Sequence, residues 1–205
     1  MSTSIVRDRW ASGKAARLAW VSIPSVEVVE TAAASGAFDA VVIDVQHGAF
    51  DPASILTAIR VAAAHPVSVL ARLPSADVDL IGWLLDGGLD GVIVAMCDSV
   101  AMVERIVSAT RYQPRGIRSY GVYRPNPGAT DPLSYADTII VLPMIESAAG
   151  MVNAAAIAAV DGVDGLFIGP SDLGLAIGEG VGQDRNEPGM VAAFSAVQRA
   201  AKASD

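Results

Sequence analysis

Five polar residues able to do chemistry sit at the ends of apolar runs. "VVIDVQHG" carries Asp44 and His47, "VSVLARLP" carries Arg72, "VLPMIES" carries Glu146, and "GLFIGPSDLG" carries Asp172. Two carboxylates brought to one place suit a hard divalent cation such as Mg²⁺ or Mn²⁺, with water and substrate oxygens completing an octahedral shell. Arg72 offers a bidentate fork for a substrate carboxylate. His47 has the only side chain of the group whose ordinary pKa lies near neutrality, which makes it the natural proton shuttle. Asp44, three residues earlier, is placed to orient its ring.

Each residue also has a plainer reading. Glu146 precedes "SAAG" and could cap the next helix. Asp172 could close an Asx-turn after Pro170. Arg72 could be an ion-pair partner, and His47, before Gly48, a loop histidine. Chemistry is favoured because all of them fall at the same end of successive strands. His65, before Pro66, reads as structural. Cys97 has no His or Asn partner nearby in sequence and is not read as a nucleophile. The tryptophans and methionines read as packing.

The elements that must position these residues alternate strand and helix. "ARLAWVSI" reads as a strand, and Pro24 opens a helix through "SVEVVETAAASG" that stops at Gly36. "FDAVVIDVQHG" is a continuous β-branched run, as expected of a strand buried on both faces. "DPASILTAIRVAAA" has Asp51 as N-cap and Pro52 at the first helical position. "PVSVLARLP", "DGVIVAM", "DTIIVLPMIE" and "DGVDGLFIG" are the remaining strands. "SADVDLIGWLLDGG", "DSVAMVERIVSATRY" (capped by Asp98), "SAAGMVNAAAIAAV" and "MVAAFSAVQRAAKASD" are the remaining helices. Two stretches read as loop, "QPRGIRSYGVYRPNPGATDPLSY" and "PSDLGLAIGEGVGQDRNEPG". The βα unit recurs about every 25 to 35 residues, which suits a (β/α) barrel or a doubly wound sheet. The sheet would want a Gly-rich fingerprint after the first strand, and "VSIPSVE" has none. The expectation is an α/β barrel forming a single domain over 1–205, with the active site at the C-terminal ends of its strands.

Composition bounds the partners. The chain has 205 residues, 52% hydrophobic and 18% charged, with a formal net charge of -8. Without a basic cluster, that charge argues against nucleic acid or an anionic membrane as partner. An anionic metabolite would still need a local cation, either an arginine or a metal. There is no apolar run of about 18 residues, so no membrane span is expected. "MSTSIVRDRW" has no apolar core of a signal peptide. A lone cysteine fits a reducing cytoplasm.

Taken in order, "VVIDVQHGAFD", "ARLP", "LLDGGLDGVIVAM", "RYQPRGIRSYG", "MIES" and "VDGVDGLFIGPSDL" resemble the HpcH/HpaI family of class II pyruvate aldolases, over nearly the whole chain. The resemblance implies a (β/α)₈ TIM barrel of the phosphoenolpyruvate/pyruvate superfamily. It implies cleavage of 4-hydroxy-2-oxo acids to pyruvate, or a related 2-oxo acid, plus an aldehyde, and the reverse addition. The implied cofactor is Mg²⁺, Mn²⁺ or Co²⁺, and the implied assembly a homo-oligomer, trimer or hexamer. By the same resemblance Glu146 and Asp172 match the metal carboxylates, and Arg72 the arginine that holds pyruvate and stabilises its enolate. His47 and Asp44 match the acid/base dyad. Gly169, Pro170, Ser171 and Asp172 match the turn whose backbone amides, at Ser171 and Asp172, receive the pyruvate carboxylate. Lys14 precedes the first strand and Lys202 lies in the last helix. Neither stands at a strand's C-terminal end, which argues separately against a Schiff-base aldolase.

Some features depart from the family. Gln46 stands where many members have Glu before the histidine, and Ala95 where proline is common. Only six βα units are visible, whereas a closed barrel needs eight strands and about 250 residues. The expectation is that the last two strands lie outside this sequence or that a neighbouring subunit covers the gap. Aldehyde selectivity is expected from "SYGVYRPNPGATDP", with Arg118, Tyr123 and Arg124 able to meet a polar or acidic tail. Two alternatives are a citrate-lyase-β-like lyase acting on an acyl-thioester, and a non-catalytic barrel that keeps a metabolite pocket.

Overall fold

The computed structural model describes residues 4–121 and 131–203. Its strands are β1 (Leu18–Val21), β2 (Ala40–Asp44), β3 (Ser68–Leu73), β4 (Gly91–Val94), β5 (Ile140–Ile145) and β6 (Phe167–Ile168). Its helices are α1 (Ile5–Ala11), α2 (Val26–Ala34), α3 (Pro52–Ala62), α4 (Val78–Asp86), α5 (Val100–Thr110), α6 (Pro132–Ala136), α7 (Ala148–Ala158), α8 (Pro170–Ala176) and α9 (Pro188–Lys202). Among the described residues the six strands form one parallel sheet in sequence order.

The sheet curls into a half-barrel. β1 and β6 are its two edges, yet the rings of Trp20 and Phe167, one from each edge, lie 5.5 Å apart. Six of the eight strands of the barrel that the resemblance implies were expected in this sequence, and the described chain is an open, curled sheet of six strands. Alternation sorts its side chains. Val41, Ile43, Val69, Ala71, Val92, Val94, Val141 and Ile145 face the helices, while Val42, Leu70, Ile93, Ile140, Leu142 and Met144 fill the interior. The continuous β-branched runs are thus strands buried on both faces.

Side-chain caps fix where the helices begin. Asp51 closes a capping box with Ser54, and Pro52 opens α3 as expected. Asp98 does not cap α5. Ser99 does, accepting from the Met102 N–H, while Asp98 accepts the Ser147 hydroxyl and ties the β4–α5 connection to the start of α7. Ser147 caps α7, so the capping role is not Glu146's.

Three helices were not expected. α6 and α8 begin with proline inside stretches read as loop, a helix-start signal outweighed by the surrounding Gly and Pro. α1 has only seven residues, too few for a clear period. Its buried Val6 joins the interior cluster, and Ser4 and Val6 bond to the Ser68 hydroxyl. Arg7 reaches Asp164 at 2.6 Å and the carbonyls of Thr138 and Ile139. α1 therefore plugs the N-terminal end of the half-barrel and leaves the other end open.

Candidate functional site

β2 and β3 place the first pair. Asp44 and Arg72 are register partners at the ends of adjacent strands, so their side chains leave the sheet on one face. Arg72 donates from Nε to Oδ1 at 2.8 Å and from Nη2 to Oδ2 at 2.6 Å. The same carboxylate accepts the backbone N–H groups of Gln46 and His47 at 3.1 and 3.0 Å. It also accepts the Trp20 indole N–H at 3.2 Å and the Ser22 hydroxyl at 3.3 Å. Burial pushes the Asp44 carboxyl upward, but the donors from Arg72, His47 and Trp20 outweigh it and hold it at about 2.

Six donor contacts exceed the about four lone-pair sites of a carboxylate. Among the described residues Asp44 makes no hydrogen bond to the His47 imidazole. It holds the main chain of the His47 turn and one edge of the Arg72 guanidinium. The His47 side chain makes no hydrogen bond among the described residues and is exposed at the mouth. Gly48 closes this turn because an added Cβ would stand 2.2 Å from the Asp44 carbonyl oxygen.

Glu146 follows β5 directly. It is 4% exposed, and its Oε1 accepts the Met96 N–H at 2.8 Å. Met96 holds a left-handed φ of 53°, uncommon without glycine, which turns the chain after β4. Gly169 allows the close approach from the other side, since a Cβ there would lie 2.2 Å from Glu146 Oε2. Burial raises the Glu146 pKa, the Met96 N–H lowers it, and the negative charge of Asp172 raises it again. Asp172 lies in the first turn of α8, is exposed, and accepts no hydrogen bond among the described residues. Gly169 is the N-cap of α8 without a side-chain cap bond. Ser171 donates to the Gly182 carbonyl at 3.2 Å and accepts from the Gln183 amide at 3.0 Å.

All of these residues line one cavity of about 770 Å³ at the C-terminal ends of the strands: Asp44, His47, Arg72, Glu146, Gly169, Pro170, Ser171 and Asp172. Trp20, Ser22 and Gln183 line it too and were missed. The signal for Trp20 and Ser22 was alternation: both share the parity of the interior residue Leu18 in β1. Gln183 gave no signal, because its place depends on how the loop after α8 folds back.

Arg118 is a correction. It is 4% exposed, bonded to Asp86 at 2.8 Å, and lies under the Tyr112 ring at 4.7 Å, away from the cavity. Tyr123 and Arg124 lie outside the described residues. Cys97 is buried, and its thiol is pushed up to about 12, first by burial and then by the charges of Glu146 and Asp98. A thiol with that pKa is a poor nucleophile.

The donor set fits a hard cation. Glu146 and Asp172 present oxygen only, and their mutual repulsion is what a divalent ion would offset. No group of three or more His, Cys, Asp or Glu with metal-binding potential occurs among the described residues. Water and substrate oxygens must therefore complete any such shell.

A parallel α/β half-barrel with two acids, an arginine and a histidine at its C-terminal mouth defines a class of barrel enzymes. A family model described as HpcH/HpaI aldolase/citrate lyase matches residues 17–205, and the chain belongs to that family. A hydroxypyruvate/pyruvate aldolase of Rhizorhabdus wittichii is 37% identical over 204 residues, covering 97% of this chain and 80% of the relative. A 4-hydroxy-2-oxovalerate aldolase of Novosphingobium aromaticivorans is 34% identical over 158 residues, covering 75% of this chain and 60% of the relative. The crystal structure of an HpcH/HpaI aldolase from Desulfitobacterium hafniense superposes with a TM-score of 0.84 at 26% identity, covering 97% of this chain and 78% of that one. Among the described residues no helix is long and apolar enough to cross a membrane.

Proposed function

We propose that this chain is a class II aldolase. It cleaves 4-hydroxy-2-oxo acids to pyruvate, or a related 2-oxo acid, plus an aldehyde, and runs the reverse addition. The observation that carries this is the shared cavity: a clamped Arg72, an exposed His47 and the under-partnered acids Glu146 and Asp172. Glu146 and Asp172 would hold Mg²⁺, Mn²⁺ or Co²⁺, which when bound supplies Lewis-acid stabilisation of developing oxyanion charge.

The chain's own residues do the rest. The first-turn N–H groups of Ser171 and Asp172 have no side-chain cap and receive the substrate carboxylate, as helix-start amides do. His47 takes the proton of the C4 hydroxyl. The C3–C4 bond then breaks, the aldehyde leaves, and its bonding pair becomes the enolate of the 2-oxo acid. Arg72, held along one edge by Asp44, keeps Nη1 without a hydrogen bond among the described residues and offers it to the enolate oxygen. His47 then returns that proton to C3 of the enolate, which completes the cycle.

The test is a pyruvate-release screen over a panel of 4-hydroxy-2-oxo acids, with and without EDTA. Release that EDTA abolishes and Mn²⁺ restores is the expected result. Turnover of malyl- or citramalyl-CoA instead would assign the acyl-thioester lyase reaction. No release at high enzyme concentration with Mn²⁺ would make the protein a binding barrel.

A further inference from the structure

Among the described residues, Trp20 is the one aromatic side chain that touches both members of the Arg72–Asp44 pair. Its indole N–H donates to Asp44 Oδ2 at 3.2 Å, and the Arg72 guanidinium carbon sits 5.3 Å from its ring centroid. The ring lies 5.5 Å from that of Phe167. Trp20 is 39% exposed, so it is a wall of the mouth rather than a core residue.

The geometry sets its task. Asp44 grips the Nε and Nη2 edge of the guanidinium. A planar group held by one edge can still tilt about that edge. With the guanidinium carbon over the ring, 5.3 Å from its centroid, the indole narrows that tilt, and its quadrupole favours the cation there. The Nη1 edge is then presented in one orientation, which an enolate oxygen needs and a ground-state ketone needs less. We propose that Trp20 is a positioning residue for Arg72: its ring fixes the plane of the guanidinium, and its N–H fixes the carboxylate that grips it. This rests on the aldolase reading above for its kinetic consequence, but not for its structural one.

Three variants, with Arg72→Lys as the fourth corner of the cycle, test it. Trp20→Leu removes ring and N–H, Trp20→Phe keeps a ring, and Trp20→Leu/Arg72→Lys closes a double-mutant cycle. Trp20→Leu should lower kcat about 10- to 100-fold, the usual worth of a group supporting a reacting one, and raise KM less. Trp20→Phe should recover most of that loss. In the Arg72→Lys background Trp20→Leu should cost little more, because the group it positions is gone. Additive losses, or a Phe variant as impaired as Leu, would overturn the proposal.

A second readout does not depend on turnover. In a ¹⁵N spectrum of arginine side chains, the Arg72 Nε–H signal, assigned by its loss in Arg72→Lys, should be shifted by the ring current and slow to exchange. It should lose both properties in Trp20→Leu and keep the shift in Trp20→Phe. If those changes appear but the wild-type protein releases no pyruvate, the aldolase reading fails and the positioning role stands. An unchanged Arg72 signal in Trp20→Leu removes the role, whatever the kinetics. Should Trp20→Leu not fold, Trp20→Phe decides alone: a lost ring shift counts against the proposal and a retained one for it.

Discussion

At the N-terminal ends of the strands, Asp39, Asp90 and Asp164 each accept a main-chain N–H, from Arg17, Val69 and Val141, at 2.7, 2.7 and 2.8 Å. Arg9 and Arg7 add ion pairs to the first and last at 3.1 and 2.6 Å. At the opposite ends, Glu146 has one N–H donor and Asp172 none among the described residues. The residue types are the same and so is the sheet. The lower acids are absorbed into the ladder, whereas the upper pair keeps unneutralised charge facing a cavity. Buried polar groups are normally satisfied, so a buried Glu146 with a single donor beside an exposed Asp172 marks the end built to receive something.

The sharpest way to break this contrast is to remove the upper charges. Glu146→Gln and Asp172→Asn should each abolish pyruvate release and weaken divalent-metal binding measured by calorimetry. Glu146→Gln should also raise the melting temperature of the metal-free protein, because burial and the Asp172 charge both disfavour an ionised group there. Near-native, EDTA-sensitive turnover in either variant would remove the metal assignment. His47→Ala comes next, with a loss of about 10² to 10⁴-fold in cleavage, typical of a positioned proton-transfer group. Its metal affinity should stay within error, and a large loss of metal binding with a modest loss of rate would reverse its role.

Arg72→Lys should follow, at about 10²-fold in kcat, the lower range for losing one oxyanion donor. KM should rise less. Lysine offers a point charge and cannot keep both bonds to Asp44 while presenting a third donor. If KM takes most of the effect, Arg72 serves ground-state binding only.

Much of this was legible in the chain. Six strands, their order and the end at which function gathers follow from the repeated βα pattern and the strand-end residues. The hydrogen-bond partners were not legible. Asp44 and His47 are three residues apart in sequence, which suggested a dyad. Register instead puts Arg72 beside Asp44, and cross-strand register does not show in local spacing. Trp20 was assigned to packing because most tryptophans are core. Its half-exposed position depends on the curl that brings β1 to face β6. Arg118 looked free in a Gly- and Pro-rich loop, and only the fold reveals Asp86 and Tyr112 around it.

A substitution at the lower end should behave in the opposite way. Asp90→Ala leaves the buried Val69 N–H without its acceptor. The expected cost is about 1 to 3 kcal/mol in urea unfolding, the range for an unsatisfied buried donor. Turnover per folded molecule should be unchanged. A fall in kcat with stability intact would mean that the two ends are not functionally separate.

The smallest effect belongs to Asp44, the one upper acid that is fully partnered and so behaves like a lower one. Its carboxyl is held at about 2, below the ordinary 3.8. A depressed acid binds its proton more weakly in the folded state than in the unfolded state. Its contribution to stability is therefore complete above pH 3.8, and is lost as the pH falls through about 2. Other carboxylates titrate in the same window, so the measurement must be a difference. Urea midpoints of the wild type and Asp44→Asn, taken from pH 5 to pH 2, should converge as the pH falls, because protonation removes from the wild type the charge that the variant already lacks. Asn keeps an acceptor for the Gln46 and His47 amides, which leaves the Arg72 pair as the main difference. Parallel curves over that window would show that Asp44 titrates alike in both states and that its pairing with Arg72 adds nothing to stability.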